Sequence, residues 1–381
     1  MRILCTWALA LAMTWSAAGA AAAPRAPDIA EPFKVGTFEI AGEPRVGVVL
    51  RDALVVELHA ANAALERTGR YATVPMPEDM LGLIERYEYG LKPRLYELVD
   101  HLVAQGLLEE DRPAWIHDVG AVRTLPPILY PGKILNAAVN FYSHVEEAGT
   151  EAERLEARRQ RRENRGVPYL FLKPSRGAVI GDGDPVVIPW GRDRTDWEVE
   201  LGAVIGRIGK YVPASEAERH VFGYMVTLDI SDRGGRPPGG APFRTDWFVG
   251  KGHDSFAPQG PWIVPKEFYG NPMEILRQTL SVGDEQMQEA TAGDMIHSLW
   301  ELIEYASSII TLYPGDVINN GTSGGVGMGT AVRGAQRYLQ PGEVITATID
   351  GIGTLRLPVV AEEEPEGLTG AQLPPVKSYR D

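Results

Sequence analysis

The sequence predicts an α+β protein, with a small N-terminal α+β module followed by a larger closed or rolled β architecture. Residues Phe33 to Leu58 alternate apolar and polar around a turn at Gly42-Glu43-Pro44, and Ala60 to Leu108 then switches to helical spacing. From Leu170 onward short β runs are separated by Gly and Pro, with too few strand-helix-strand repeats for a doubly wound sheet.

Taken in chain order, the first element is an export signal rather than structure. Arg2 gives a basic start, Ile3 to Trp15 an apolar stretch, and Ala17 to Ala23 a run of small residues suited to cleavage. A transmembrane helix needs ~20 apolar residues, so the segment is too short to anchor the chain. The expected divisions are a signal peptide over 1–23, an α+β module over 24–125 and a catalytic β domain over 126–381, with a periplasmic or secreted location and no membrane contact after cleavage.

Within the module, Phe38 and Ile40 precede the turn and Val46, Val48 and Val49 follow it, giving a hairpin, with a third strand at Leu54 to Leu58. Leu95, Leu98, Val99 and Leu102 mark a helix whose first turn suits Pro93. Pro126, Pro127 and Pro131 mark the boundary, and Ile134 to Val139 reads as a strand. The charged run Glu146 to Arg165 reads as a solvated helix or as a lid over a site. Strands are expected at 178–180, 185–189, 198–205, 223–230, 262–264, 279–282, 316–319, 344–349 and 353–359. A helix at Ser298 to Thr311 carries Leu299, Leu302, Ile303, Ala306, Ile309 and Ile310 on its apolar stripe.

Composition narrows the function. The chain is 44% hydrophobic and 23% charged with a formal net charge of −14, which argues against a nucleic-acid partner. Cys5, the only cysteine, lies in the export segment, so disulfide and thiolate metal sites are excluded from the rest. Chains of ~300 residues bury about three quarters of their unfolded surface, so the remaining length supports a large core without disulfides.

The most informative local pattern is Asp196-Trp197-Glu198-Val199-Glu200-Leu201. On a strand, Glu198 and Glu200 project to one side while Val199 and Leu201 face the core. This spacing fits an exposed acidic face or a cation site. A third acid, Asp229, ends the apolar run from Val226, where a carboxylate is awkward without a partner. Three carboxylates on two strands suit a hard cation, Mg²⁺ or else Mn²⁺ or Ca²⁺, because all the ligands are oxygen.

Six segments in order complete the pattern: Asn140 to Glu147, Phe171-Leu172-Lys173-Pro174-Ser175, Glu198 to Gly202, Leu228 to Arg233, Gly250-Lys251, and Gly321-Thr322-Ser323-Gly324-Gly325-Val326-Gly327. With them the chain resembles the fumarylacetoacetate hydrolase family over nearly its whole length after the signal. The resemblance implies a mixed β-roll and a metal held by Glu198, Glu200 and Asp229. It also implies a catalytic His144–Glu147 pair that shares a helical face and activates water. Lys251 matches a catalytic lysine, Lys173 a second recurrent lysine, and Arg233 a partner for a substrate carboxylate. Gly321 and Thr322 open a loop whose backbone N–H groups can hold an anion. Where the family usually reads S/T-A-R-D, this chain has Ser231-Asp232-Arg233-Gly234, followed by a Pro- and Gly-rich segment with Arg236 and Arg244 that reshapes the rim.

The implied activity is C–C bond hydrolysis of a small acylpyruvate or β-diketo acid, a 2-oxo acid, through a metal-stabilised enolate. Decarboxylation, isomerisation and dehydration use the same residues and remain alternatives, as does a non-catalytic periplasmic 2-oxo acid binding protein. Pairing into a homodimer is implied by the family.

Overall fold

The computed structural model describes residues 31–147, 149–235, 246–364 and 366–367. The export segment and the rim residues Arg236 and Arg244 lie outside them.

The hairpin forms from Lys34–Ile40 and Glu43–Leu50, closed by Ala41 and Gly42 at φ of 54° and 80°. Positive φ at both turn positions matches the right-handed twist of the flanking strands. Leu54–Glu57 adds the third strand. Helices Leu58–Arg67, Met80–Arg86 and Lys92–Ala104 cover this sheet and bury Leu65, Leu83, Ile84, Leu95, Leu98, Val99 and Leu102. Pro93 sits in the first turn of its helix, where its missing N–H costs nothing.

The hairpin does not end its sheet. Val35 pairs with Ile263 of Ala257–Pro265, so one sheet runs from the N-terminal strands into the second half of the chain. Beyond Ala257–Pro265 follow Val221–Leu228, Val199–Ile205, Val317–Asn319, Ile134–Ala137 and Leu170–Lys173. A second sheet orders Glu285–Thr291, Arg277–Val282, Val344–Ile349, Gly353–Ala361 and Val186–Ile188. The closed alternative is not seen: neither sheet closes into a barrel among the described residues.

The strand Val199–Ile205 lies in the middle of the first sheet and is buried throughout. Val199, Leu201, Ala203 and Ile205 pack in the core shared with Leu280, Val282, Ile345 and Leu355 of the second sheet. On the opposite face Val204 joins the core beneath the N-terminal helices. Each such side chain contributes roughly 1.5–3 kcal/mol on burial. Period-2 geometry therefore puts Glu198 and Glu200 on the Val204 face, in the interior rather than in solvent.

Some expectations shift. The helix after Ser298 spans Leu299–Ile309, and Ile309 is 60% exposed rather than part of the apolar stripe. The chain turns extended at Ile310 and sends Leu312 into the core instead. The strand Glu285–Thr291 carries only Met287 and Ala290 as buried apolar residues, too weak a pattern to read as a strand. The charged run forms a helix at Glu151–Glu163 with no buried residue, capped by reciprocal bonds between Thr150 and Glu153.

Candidate active site and metal centre

Glu198 immediately precedes Val199–Ile205, and Asp229 immediately follows Val221–Leu228. The ladder continues one step past both strand ends, because Asp229 N donates to Glu198 O at 2.9 Å. This pairing sets Glu198 opposite Asp229, with Glu200 on the same face. Ligand oxygens of Glu198, Glu200 and Asp229 lie within 4.8 Å of one another, and all three residues are buried.

Three buried carboxylates repel. Burial, then Asp229 and Glu198, push Glu200 well above the ordinary carboxylate range. Burial also raises Glu198, but Lys251 and Arg233 outweigh it and hold that group below the ordinary range. Lys251 Nζ donates to Glu198 at 3.0 Å, to Asp229 at 2.5 Å and to Ser231 Oγ at 2.6 Å. Glu200 Oε1 is buried without a hydrogen-bond partner. An orphaned carboxylate oxygen inside an all-oxygen acidic triad fits a hard divalent cation, which would offset the repulsion that raises Glu200.

His144 lies on the short helix Tyr142–Val145, and its Nδ1 meets Glu147 Oε2 in a short bond. The carboxylate is fixed in turn, since Gly325 N and Val326 N both donate to Glu147 Oε1. A Cβ on Gly329 would stand 2.2 Å from that same oxygen, so only glycine admits the carboxylate there. Gly329→Ala should displace Glu147 and lower kcat about 10²-fold, the penalty for misplacing a catalytic group by ~1 Å, with metal affinity unchanged in a calorimetric titration.

His144, Glu198, Asp229, Arg233, Lys251 and Thr322 line one cavity of about 50 Å³, with Phe171 and Trp247 at its apolar edge. A single water needs ~10–15 Å³ of such space, so the cavity admits a cation and a few small ligands. The rings of Phe171 and Trp247 lie 4.7 Å apart, tilted by 33°.

Other expected residues occupy different stations. Lys173, expected at the substrate, is fully buried and bonds Asp229 and Ile230 O, behind the acids rather than in the cavity. Burial outweighs Asp229 and lowers its amine to about 8. Arg233, expected to meet a substrate carboxylate, bonds Asp196 at 3.0 Å and also Glu198. The glycine loop holds anions as anticipated, but they are the chain's own side chains. Gly321 N donates to Glu200 at 3.3 Å, Gly325 and Val326 to Glu147, and Gly327 and Met328 to Asp196. Thr322 Oγ1 donates to Val199 O at 3.0 Å and accepts from Gln288 Nε2 at 2.8 Å.

Sequence reasoning missed the groups that hold these positions. Asp196 is fully buried and links the glycine loop to Arg233. Asn136 donates to Glu200 at 3.2 Å. Asp232, the departure from the usual motif, is neutralised by Arg192 at 2.5 Å. A charged side chain next to the motif residues, as Asp196 and Asp232 are, was the available signal, since such a group needs a partner once it is buried. Its partner, 40 residues away in the Arg192–Asp232 case, is fixed only by the fold.

Comparison with known proteins places the chain in a family. The model of the fumarylacetoacetate (FAA) hydrolase C-terminal domain matches residues 133–360. A maleylpyruvate hydrolase of Aquipseudomonas alcaligenes is 33% identical over 285 residues, 74% of this chain and 91% of that protein. The maleylpyruvate hydrolase of Sphingobium sp. SYK-6, solved with manganese(II) and pyruvate, superimposes with a TM-score of 0.61 at 26% identity over 87% of this chain and all of its own. A probable 2-hydroxyhepta-2,4-diene-1,7-dioate isomerase of Mycobacterium abscessus superimposes equally well, with a TM-score of 0.61, 26% identity and the same coverage. The matched span contains the acidic triad, His144, Glu147 and both lysines, and the chain belongs to the fumarylacetoacetate hydrolase family.

Proposed function

We propose that this enzyme hydrolyses the C–C bond of an acylpyruvate, releasing pyruvate and the acid of the acyl group. The observation that carries the reading is one cavity shared by His144, whose ring is oriented by Glu147, and by two acids of the triad. An anchored His–Glu pair beside the acids is equipped to deprotonate water.

Glu198, Glu200 and Asp229 would hold Mg²⁺ or Mn²⁺, and when bound the cation supplies Lewis-acid stabilisation of negative charge on the substrate's 2-oxo acid oxygens. His144 Nε2 takes a proton from water, and Glu147 stabilises the imidazolium. The hydroxide adds to the distal carbonyl. That carbon then loses its bond to C3 of the pyruvyl part, and the electron pair passes into the pyruvate enolate. Lys251, whose amine stands among Glu198, Asp229 and Ser231, is raised above its ordinary value despite burial, so it is a cation beside the developing charge. A proton delivered to C3 completes pyruvate. Arg233, from the cavity wall, holds Glu198 in place, and Lys173 holds Asp229 from behind.

Isomerisation is the second reading, favoured by the isomerase among the similar structures. Incubation of the protein and Mg²⁺ with acylpyruvates, oxaloacetate and 3-deoxy-2-oxo sugar acids, followed by mass spectrometry, separates them. Two acids support hydrolysis, an isomeric product of unchanged mass overturns it, and CO₂ release points to decarboxylation. Export by the alanine-rich N-terminal segment and assembly as a homodimer belong to the same proposal. They are checked by the mass of the protein in a periplasmic extract and by sedimentation.

A further inference from the structure

Two residues that depart from the usual motif, Asp232 and Gly234, take no part in the chemistry above. Their neighbours are committed to the acids: Ser231 Oγ accepts from Lys251 at 2.6 Å, and Arg233 donates to Asp196 at 3.0 Å and to Glu198. Asp232 turns to a different set of partners. Its Oδ2 accepts from Arg192 Nε at 2.5 Å and its Oδ1 from Gly234 N at 2.8 Å, while Arg192 Nη2 donates to Gly235 O at 2.6 Å. A Cβ on Gly234 would stand 2.7 Å from Arg192 Nη2 and 2.9 Å from Asp232 Oδ1. Both atoms are fixed by their own bonds, so a side chain at 234 would disturb the pair. The acid at 232 and the glycine at 234 are therefore one coupled change.

The same carboxylate faces the end of the helix that carries Lys251. His253, two residues beyond Lys251, places Nε2 3.5 Å from Asp232 Oδ2, and that nitrogen is buried with no hydrogen-bond partner of its own. On the helix Trp247–Lys251 a Cβ at Gly250 would stand 3.5 Å from Asp232 O, so the helix rests on the backbone of Asp232. Burial pushes the Asp232 carboxyl up, but His253, Arg192 and Gly234 N outweigh it and hold the group below the ordinary carboxylate range. A buried pair of this kind is weak evidence for stability and is better attested as a device that fixes one arrangement.

We propose that Asp232 is a positioning residue for the two cations of the site: anchored by Arg192 and faced by His253, it ties the segment bearing Arg233 and the helix bearing Lys251 to one buried point. Arg233 and Lys251 then meet the acids in a fixed geometry. Asp232 touches none of the three acids and acts only through those two residues. The choice of assay rests on the hydrolase reading above.

Loss of Asp232 would leave Arg192 buried without a partner, so the first variant is at His253, which spares that pair. His253→Leu should lower kcat about 10-fold with little change in KM, less than the cost of moving a catalytic group by ~1 Å. His253→Gln, which keeps an N–H donor, should recover most of the loss. In a Lys251→Ala background His253→Leu should cost nothing more, because effects of residues that act through one another do not add. Hydrogen exchange followed by mass spectrometry should quicken about fivefold in the peptide covering 247–253, in His253→Leu and further in Asp232→Asn, while the strand Val199–Ile205 keeps its protection. An additive loss of kcat, faster exchange throughout the protein, or unchanged exchange at 247–253 would overturn the positioning role and leave the hydrolase reading standing. If the unaltered enzyme with Mg²⁺ cleaves no acylpyruvate, the hydrolase reading fails, and the exchange at 247–253 decides this inference by itself.

Discussion

Replacing Glu200 by Ala should lower turnover by about three orders of magnitude and remove the response to Mg²⁺ and Mn²⁺. The several kcal/mol that a Lewis acid contributes convert to that factor at ~1.36 kcal/mol per tenfold. Stability should move the other way in metal-free buffer. Glu200 is buried, lifted well above its ordinary range by burial and by Asp229 and Glu198, and one of its oxygens is unpartnered. Its ionisation is therefore unfavourable in the folded state. A carboxyl whose folded value is raised binds its proton more tightly in the native than in the unfolded state, so it favours folding in acid and opposes it as pH rises. Metal binding must displace that proton, and affinity should accordingly increase with pH above the ordinary carboxylate range. Turnover assays, with unfolding followed across pH in the presence and absence of Mn²⁺, check these three points. The unaltered protein should gain about 2.7 kcal/mol at a hundredfold excess over Kd, and Glu200→Ala should gain nothing. Metal-induced stabilisation that survives the substitution would place the cation elsewhere.

His144→Ala should lower kcat by about 10²- to 10⁴-fold while leaving metal affinity in place, because general-base catalysis contributes that range and the imidazole is not among the three clustered oxygen ligands. Glu147→Gln keeps the shape of the partner but loses the charge that favours the imidazolium. It should lower kcat by less than His144→Ala does. Stopped assays across pH, paired with Mn²⁺ titration of each variant, separate loss of the base from loss of the metal. A fall in metal affinity equal to the fall in kcat would contradict the division of labour between the dyad and the triad.

The fold and site were legible to different depths, for physical reasons. The N-terminal helices follow their periodicity closely, since each has one buried face, whereas the hairpin strands bury both, Phe38 and Val49 in one core and Val35, Val48 and Leu50 in the other. The pairing of Val35 with Ile263 joins strands more than two hundred residues apart and leaves no local trace. In the strand Val199–Ile205 both faces are buried, so alternation marks two cores rather than a core and a solvent face. That is why Glu198 and Glu200, ambiguous as a pair, become a site only when Asp229 is placed across from Glu198. The glycine loop's N–H groups are taken up by the chain's own carboxylates, Glu200 and Asp196 of the acidic pattern and Glu147 beside His144. Asp232, conspicuous as a departure in the sequence, proves to be half of a buried ion pair with Arg192.

The central claim is that water attacks the distal carbonyl and that the pyruvyl fragment departs as an enolate. Turnover of an acylpyruvate in ¹⁸O-labelled D₂O, with products resolved by mass spectrometry, tests it directly. Attack on the distal carbonyl places ¹⁸O in the carboxylate of the acyl-derived acid, and protonation of the enolate places solvent deuterium in the methyl group of pyruvate. A product of unchanged carbon skeleton, or an acid fragment without ¹⁸O in its carboxylate, would contradict it.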